Sequence, residues 1–329
     1  MSDLLDVRDL RVELPGPRGP MPVVDGVSFS VRPGEVFGVA GESGSGKTMT
    51  ALALLGLLPR DAAVGGEALL EGQDLLRLRG ADLREVRGRQ VAMVFQDPLT
   101  SLHPMLTIEQ QLTEHVRSHL HVSAAAARAR AVELLTEVRM PDPAGSLRAY
   151  PHQFSGGMRQ RIAIAIALAC EPRLLIADEP TTALDVTVQA GILRLLDGLR
   201  RTQSLAVILI THDLGVLSSL ADQVTVMYAG RVVESGPTGE VLPRPRHPYT
   251  SGLLDSLPHP EAAEHDPLRP IAGAPPSPSD RPAGCAFHPR CLYAVDACRS
   301  EVPDLVAVAA GRRLACPVDP LAAGEAAVG

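Results

Sequence analysis

The chain reads as an α/β protein built on a mainly parallel sheet, with a glycine-rich, lysine-bearing loop at one strand end. Three observations predict this. Apolar runs of strand length alternate with helical periodicity along most of the 329 residues, the pattern of parallel strands joined by helical crossovers. One such run, Val36–Ala40, passes directly into GESGSGKT (Gly41 to Thr48) and then into an apolar helix. The chain's single lysine, Lys47, lies in that loop, while arginine supplies every other fixed positive charge on a side chain. Arginine is a broad planar fork, whereas lysine is a compact ammonium on a thin stem that fits between two phosphates.

Strands are expected near Leu10–Leu14, Val23–Val31, Val36–Ala40, Val91–Phe95, Leu174–Ala177, Ala206–Ile210 and Val224–Tyr228. Helical spacing fits Thr48–Leu58, Ser123–Val138, Gly157–Leu168, Val188–Arg200 and Leu214–Leu220. From about Asp97 to Tyr150 the alternation breaks, and this stretch reads as a helical insertion. Past Pro243 the composition changes. Residues 258–282 are rich in proline and hydrophilic, the profile of an extended linker. A cysteine-bearing tail follows, and the terminal AAGEAAVG is expected to fray.

Composition narrows the function classes. Hydrophobic residues make up 45% of the chain but aromatics only 3%, with no Trp, so the core must be aliphatic. A net charge of −7 argues against a general nucleic-acid binder. The N-terminal MSDLLDVRDL lacks the basic and apolar regions of a signal peptide. Apolar runs such as Ile162–Cys170 are far shorter than a membrane span. These features predict a soluble, cytosolic protein, which leaves docking on a membrane protein open.

Three motifs carry chemistry. In the loop, Gly41, Gly44 and Gly46 let backbone N–H groups curl around phosphates beside Ser43, and the following helix N-terminus adds a favourable dipole. Lys47 would reach the β- and γ-phosphates, and the Thr48 hydroxyl would ligate Mg²⁺. Next, LLIADE (Leu174 to Glu179) ends a buried-strand pattern in two acids, at the strand end where ligand crevices form. Asp178 would hold Mg²⁺, and Glu179 is placed to orient and polarise an attacking water. The third motif, FSGGMRQR (Phe154 to Arg161), puts Ser155, Gly156 and Gly157 at the start of an apolar helix. That is a second phosphate-binding helix end. A single site does not need two, but a head-to-tail dimer sandwiching ATP does.

On these motifs the chain resembles the ATP-binding cassette (ABC) ATPases over about residues 4–257. The resemblance implies a P-loop NTPase of ABC type: a RecA-like parallel-sheet core, an antiparallel β subdomain, and a helical subdomain at about 97–165. It assigns Gln96, in VFQDP, to the loop glutamine that contacts Mg²⁺ and water, and TTALD, ending at Asp185, to the loop that crosses the dimer interface. His212, in ITHDL, corresponds to the histidine that contacts the γ-phosphate. One departure concerns the base: the family presents an aromatic before the first strand pair to stack on adenine. Here Leu14 takes that place, and the first 28 residues hold no aromatic, which puts the choice of ATP over GTP in question.

Longer stretches, FQDPLTSLHPMLTI, YPHQFSGGMRQRIAIAIALA, MYAGRVVESG and RHPYTSGLLDSLP, resemble the dipeptide/oligopeptide permease ATPases, and the nickel importers share much of the pattern. This implies a peripheral subunit at the cytoplasmic face of the membrane. Its partners would be two transmembrane permease subunits and an extracytoplasmic peptide-binding protein. Met158 is typical of one of two paralogous ATPases, implying a heterodimer. A soluble cassette protein of iron–sulfur assembly or DNA repair is the rival from another class.

The tail, residues 285–320, reads as a small Cys-rich module behind a linker at 258–284. Cys285, Cys291, Cys298 and Cys316 are separated by five, six and seventeen residues. Four converging thiolates can bind zinc or an iron–sulfur cluster. No close Cys pair of the zinc-knuckle kind occurs, which favours a [4Fe–4S] cluster, with zinc as the alternative. The same cysteine pattern closes many peptide-importer ATPases, and resemblance to them also implies a cluster. Cys170, on the apolar helix behind Ser155, reads as a small buried hydrophobe.

Overall fold

The computed structural model describes residues 3–17, 19–97, 101–257 and 270–320. Part of the 258–284 linker and all of the AAGEAAVG terminus lie outside the described residues. The fold divides into two compact units, each assembled from separated stretches of chain.

The first unit comprises Met1–Leu5, Val31–Val36 and Leu70–Ile210. Strand β5 (Gln73–Asp74) and helix α2 (Gly80–Arg89) belong to it, and strands β6 (Val91–Val94), β7 (Leu174–Asp178) and β8 (Ala206–Ile210) run parallel, with Val91 opposite Leu174 and Leu174 opposite Ala206. All of β7 and β8 is buried, which explains their unbroken apolar runs, since a parallel sheet is covered on both faces. Between β6 and β7 the described chain is helical, as the broken alternation predicted. Helices α3 (Ile108–Leu120) and α4 (Ala124–Glu137) lead to α5 (Gly156–Ala167). Thr107 caps α3 through a capping box with Gln110, and Ser123 caps α4. Leu112, Val116, Leu134, Leu135 and Ile162 are completely buried. Helix α6 (Val186–Gln203) joins β7 to β8. Cys170 is buried, and desolvation pushes its thiol up to about 11, as expected of a small core hydrophobe.

The second unit comprises Asp6–Ser30, Phe37–Leu69 and Thr211–Gly329. Here β1 (Leu5–Gly16) lies between β2 (Gly19–Val31) and β4 (Ala63–Leu70). A separate array runs β3 (Val36–Ala40), β9 (Gln223–Tyr228), β10 (Arg231–Pro237), β12 (Arg312–Leu314) and β11 (Val306–Ala309). The β3/β9 pair is parallel, while β10 is antiparallel to both β9 and β12. Helices α1 (Lys47–Leu54), α7 (Leu214–Leu220) and α8 (Pro248–Asp255) belong to this unit.

The cysteine-bearing tail is therefore stitched into the sheet through β12. Beneath that junction Glu234 on β10 is wholly buried. Its carboxylate accepts from Arg312 Nη2 at 2.7 Å and from the backbone N–H groups of Arg246 and His247 at 3.0 Å each. His247 is buried as well, and desolvation pushes its imidazole down to about 3. The neutral ring accepts from the Tyr249 N–H at Nδ1 and hydrogen-bonds Ala315 in the tail. His247 is thus a packing residue of this junction.

Candidate nucleotide-binding and catalytic residues

In the second unit the phosphate loop begins where the fully buried strand β3 ends. Gly41, Gly44 and Gly46 all have positive φ. At Gly46 the requirement is double: φ is +100°, and an added Cβ would come within 2.7 Å of the Val23 carbonyl oxygen. Any side chain there would distort the turn that launches α1. Lys47 is the first residue of α1 and is buried. Its ammonium donates to the carbonyl oxygens of Gly41 at 2.7 Å and Glu42 at 3.0 Å, so it lies folded over the loop's own backbone. Ser43, Gly44 and Thr48 face solvent. The Ser45 hydroxyl is buried without a hydrogen-bond partner. An orphaned buried hydroxyl inside a loop closed by an ammonium suits an anionic ligand.

His212 belongs to the same unit and is exposed. It stands between Thr211, whose N–H donates to Val39 at 3.1 Å, and Asp213, which caps α7 by accepting from Gly215 and Val216. Both flanking residues are thus fixed, and the imidazole is presented from a rigid strand-to-helix turn.

The first unit holds the acids. Asp178 ends β7, opposite Ile210 of β8, and is 3% exposed. Glu179 follows with φ +46°, a left-handed conformation that an L-residue adopts at a cost of about 1–3 kcal/mol. Its N–H donates to the Ile210 carbonyl at 2.8 Å, which pins that turn. One carboxylate oxygen, Oε2, accepts from Gln96 Nε2 at 3.0 Å and from Thr182 Oγ1 at 2.8 Å. The fold thus brings Gln96 and Glu179, 83 residues apart, into direct contact. Thr182 orients the same oxygen from within TTALD, a role the sequence did not reveal although its position, three residues after the acid, was legible.

Ser155 caps α5, its side chain accepting from the Met158 N–H at 3.4 Å. The glycine pair has a packing reason beside any ligand role. A Cβ at Gly157 would run into Val188 Cγ1, and one at Gly156 would meet Leu184 at 3.3 Å. Asp185 caps α6 by accepting from Val188 at 2.9 Å and is exposed, and Val186 beside it is 82% exposed. The starts of α5 and α6 therefore pack against each other within one unit.

In the tail, Cys285, Cys291, Cys298 and Cys316 are all unpaired thiols. Burial pushes the Cys285 thiol up to about 11, and Cys298, Cys316 and Cys291 each add to the rise. Cys291 and Cys316 are raised by burial too, with contributions from their neighbours in the same set. The four thiols thus stand within electrostatic reach of one another. Among the described residues, however, no three His, Cys, Asp or Glu side chains are placed to hold a metal ion. The structure gives the metal expectation clustered thiols but no metal centre.

Sequence reading missed how the tail meets the phosphate loop. Arg290 pairs with Glu42 through two nitrogens, at 2.7 and 3.0 Å, and the Glu42 N–H donates to Tyr249 Oη at 2.7 Å. These partners lie more than 200 residues from the loop, so no local pattern could signal them.

Comparison with known proteins identifies the family. Residues 24–182 match the ABC transporter family, and residues 233–298 match the family described as oligopeptide/dipeptide transporter, C-terminal region. The chain is 48% identical to a probable peptide ABC transporter ATP-binding protein, y4tR, of Sinorhizobium fredii, covering 95% of this chain and 94% of that one. It is 47% identical to the oligopeptide transport ATP-binding protein OppD of Escherichia coli, covering 97% and 94%. For the dipeptide transport protein DppD of the same organism the figures are 47%, 96% and 97%. Among solved structures, a dimeric ATP-binding cassette, MJ0796, bound to ADP and phosphate superposes with a TM-score of 0.63 at 26% identity, over 71% of this chain and 98% of that one. CbiO1 of Clostridium perfringens, part of an ABC transporter complex, also scores 0.63, at 27% identity over 73% and 91%. With its phosphate loop, its paired acids and its matched C-terminal region, the chain belongs to the ABC transporter family of ATP-binding subunits, within the oligopeptide/dipeptide group.

Proposed function

We propose that this chain is the ATP-hydrolysing subunit of an importer of dipeptides or oligopeptides, docked on the cytoplasmic face of the membrane. The observation that carries the reading is near-complete alignment, at 47–48% identity, with ATP-binding subunits named for peptide, oligopeptide and dipeptide transport. Those names favour peptides over nickel, and a transport role over a soluble one. Among the described residues no helix is long and apolar enough to cross a membrane, so separate permease subunits would form the path. An extracytoplasmic peptide-binding protein would deliver the substrate.

In this reading Gly41, Ser43, Gly44, Gly46 and Lys47 bind the ATP phosphates, and Thr48, Gln96 and Asp178 hold Mg²⁺. Glu179 polarises the attacking water, and His212 contacts the γ-phosphate. Ser155, Gly156, Gly157 and Asp185 face a second cassette, which we assign to a paralogous ATPase. The presentation of Ser155 and Asp185 at exposed helix starts supports a partner at that face. Closure on ATP pulls the permease halves into a new orientation, and in-line hydrolysis reopens them. The test is peptide-stimulated ATP hydrolysis by the assembled transporter. Lys47→Ala is expected to abolish both hydrolysis and peptide uptake; uptake that survives it sinks the reading.

Residues 1–257 would form the cassette, 258–284 the linker and 285–320 the cysteine module. For the module we favour a [4Fe–4S] cluster on Cys285, Cys291, Cys298 and Cys316. Four unpaired thiols, with no close Cys pair of the zinc-knuckle kind, are the donor set such a cluster would take. When bound, the group would staple a tail with little apolar core of its own. Purification without oxygen is expected to yield about four irons with matching sulfide and broad visible absorption. One zinc and no colour would replace the cluster with a structural ion.

A further inference from the structure

The phosphate loop contains an acid. Glu42 sits between Gly41 and Ser43 in a loop whose task is to hold a highly charged anion, and an uncompensated carboxylate there opposes that task. The tail supplies the compensation. The Arg290 side chain, 5% exposed, grips the Glu42 carboxylate as a bidentate pair. The guanidinium is itself fixed by the Ala272 carbonyl at 2.9 Å and the Tyr228 hydroxyl at 3.3 Å, and lies 5.9 Å from the ring centres of Tyr228 and Phe287.

Glu42 is held at every polar group. Tyr249 accepts from its N–H, Lys47 donates to its carbonyl, and Arg290 binds its carboxylate. Because Lys47 and Arg290 meet on one residue, the phosphate-binding lysine and the tail are one hydrogen bond apart on either side of Glu42. A bidentate fork is the geometry only arginine offers.

We propose that Arg290 is a positioning residue for nucleotide binding: by neutralising the Glu42 carboxylate within the phosphate loop, it lets the C-terminal tail set ATP affinity. The inference rests on the assignment of Gly41–Thr48 to ATP and extends it to a residue about 250 positions away.

A charge-neutralising role differs from a purely mechanical clamp in its mutational pattern. A clamp fails equally whichever side is removed. In the proposed role, losing Arg290 leaves an unpaired carboxylate beside the phosphates, whereas losing the Glu42 charge leaves none. The experiment is titration of the purified full-length chain with a fluorescent ATP analogue and Mg²⁺, with far-UV circular dichroism as the check on folding. Arg290→Ala is expected to weaken binding about tenfold, the usual scale for one unpaired charge near a bound anion. Glu42→Gln is expected to bind as tightly as the unaltered chain or more so. The double variant Glu42→Gln/Arg290→Ala is expected to recover most of the loss. Should Arg290→Ala fail to fold, Arg290→Met keeps the apolar stem and carries the same expectation.

Equal affinity in the neutral Arg290 variant and the unaltered chain overturns the proposal. So does a double variant no better than the single one, or a Glu42→Gln loss as large as that of Arg290→Ala. If the unaltered chain binds no nucleotide, and Lys47→Ala changes nothing, the ATP assignment fails instead. The two failures are therefore separable.

Discussion

Glu179→Gln is expected to lower ATP hydrolysis by about 10²–10⁴-fold, the contribution of a positioned general base, while leaving nucleotide binding intact. The substitution changes one oxygen to an amide and preserves volume. A glutamine can still take the left-handed turn at this position, pinned by the Ile210 carbonyl. Its remaining carbonyl oxygen can still accept from Gln96 or Thr182, as Oε2 does now. What is lost is the negative charge that draws a proton from water. Nucleotide-bound, closed dimer should therefore accumulate, seen as a dimer peak in size-exclusion chromatography with ATP and Mg²⁺. Thr182→Val and Gln96→Ala leave the carboxylate in place but unsteered, so their effect on kcat should be smaller. Turnover at the unaltered rate by Glu179→Gln would remove Glu179 from the role of base.

The backbone strain at Glu179 fits this role. An extended residue at the end of β7 would continue the strand, whereas the left-handed turn departs from it directly after Asp178. Two consecutive acids thus receive different surroundings: Asp178 is buried within the strand register, and Glu179 is partly exposed and hydrogen-bonded from two loops. The adjacent-acid motif suggested two roles, and the turn supplies the physical means of separating them.

How much was legible depended on whether the signal was local. Strands buried on both faces announce themselves as apolar runs, and Val36–Ala40 and Ala206–Ile210 have the predicted ends. Helix α7 likewise spans Leu214–Leu220, because Asp213 caps it and the chain turns extended at Ala221. Helix α1 stops at Leu54, short of the predicted Leu58, because the chain tightens into a turn with Gly56 at φ +60°. Strand β10, RVVESGP, was not anticipated. A buried glutamate followed by Ser, Gly and Pro imitates a surface turn, and the burial of Glu234 is made tolerable by the distant Arg312 and by two backbone N–H donors. Strand β4 has an exposed first half, AVGG, which hides its apolar end. Among the candidate residues, Lys47, Asp178 and Glu179 could be read because chemistry demands those residue types in sequence. Arg290 could not, since nothing near Cys291 in sequence reveals that its neighbour reaches Glu42.

Arg312→Met is expected to destabilise the second unit by about 3–5 kcal/mol, the penalty for breaking a buried ion pair from one side. Glu234 has no exposed surface, and Arg312 is 7% exposed. Without the guanidinium, the carboxylate keeps only the two backbone N–H donors of Arg246 and His247. The damage should be local first. Strand β12 pairs with β10 at Glu234 and Leu314, and Arg312 also donates to the carbonyls of Arg244 and Glu240, so the tail should open before the rest of the unit. Hydrogen exchange at Arg313 and Leu314 would report that opening, and chemical denaturation would give the overall loss. The double variant Glu234→Gln/Arg312→Met removes both charges while an amide oxygen still accepts from a backbone N–H, and it should be more stable than the single variant. Such recovery would identify the cost as an unpaired buried charge; its absence would mean that Arg312 matters chiefly for its contacts with the Arg244 and Glu240 carbonyls. Because the tail carries Arg290, the single variant should also weaken nucleotide binding, and the double variant should restore it in proportion to the recovered exchange protection.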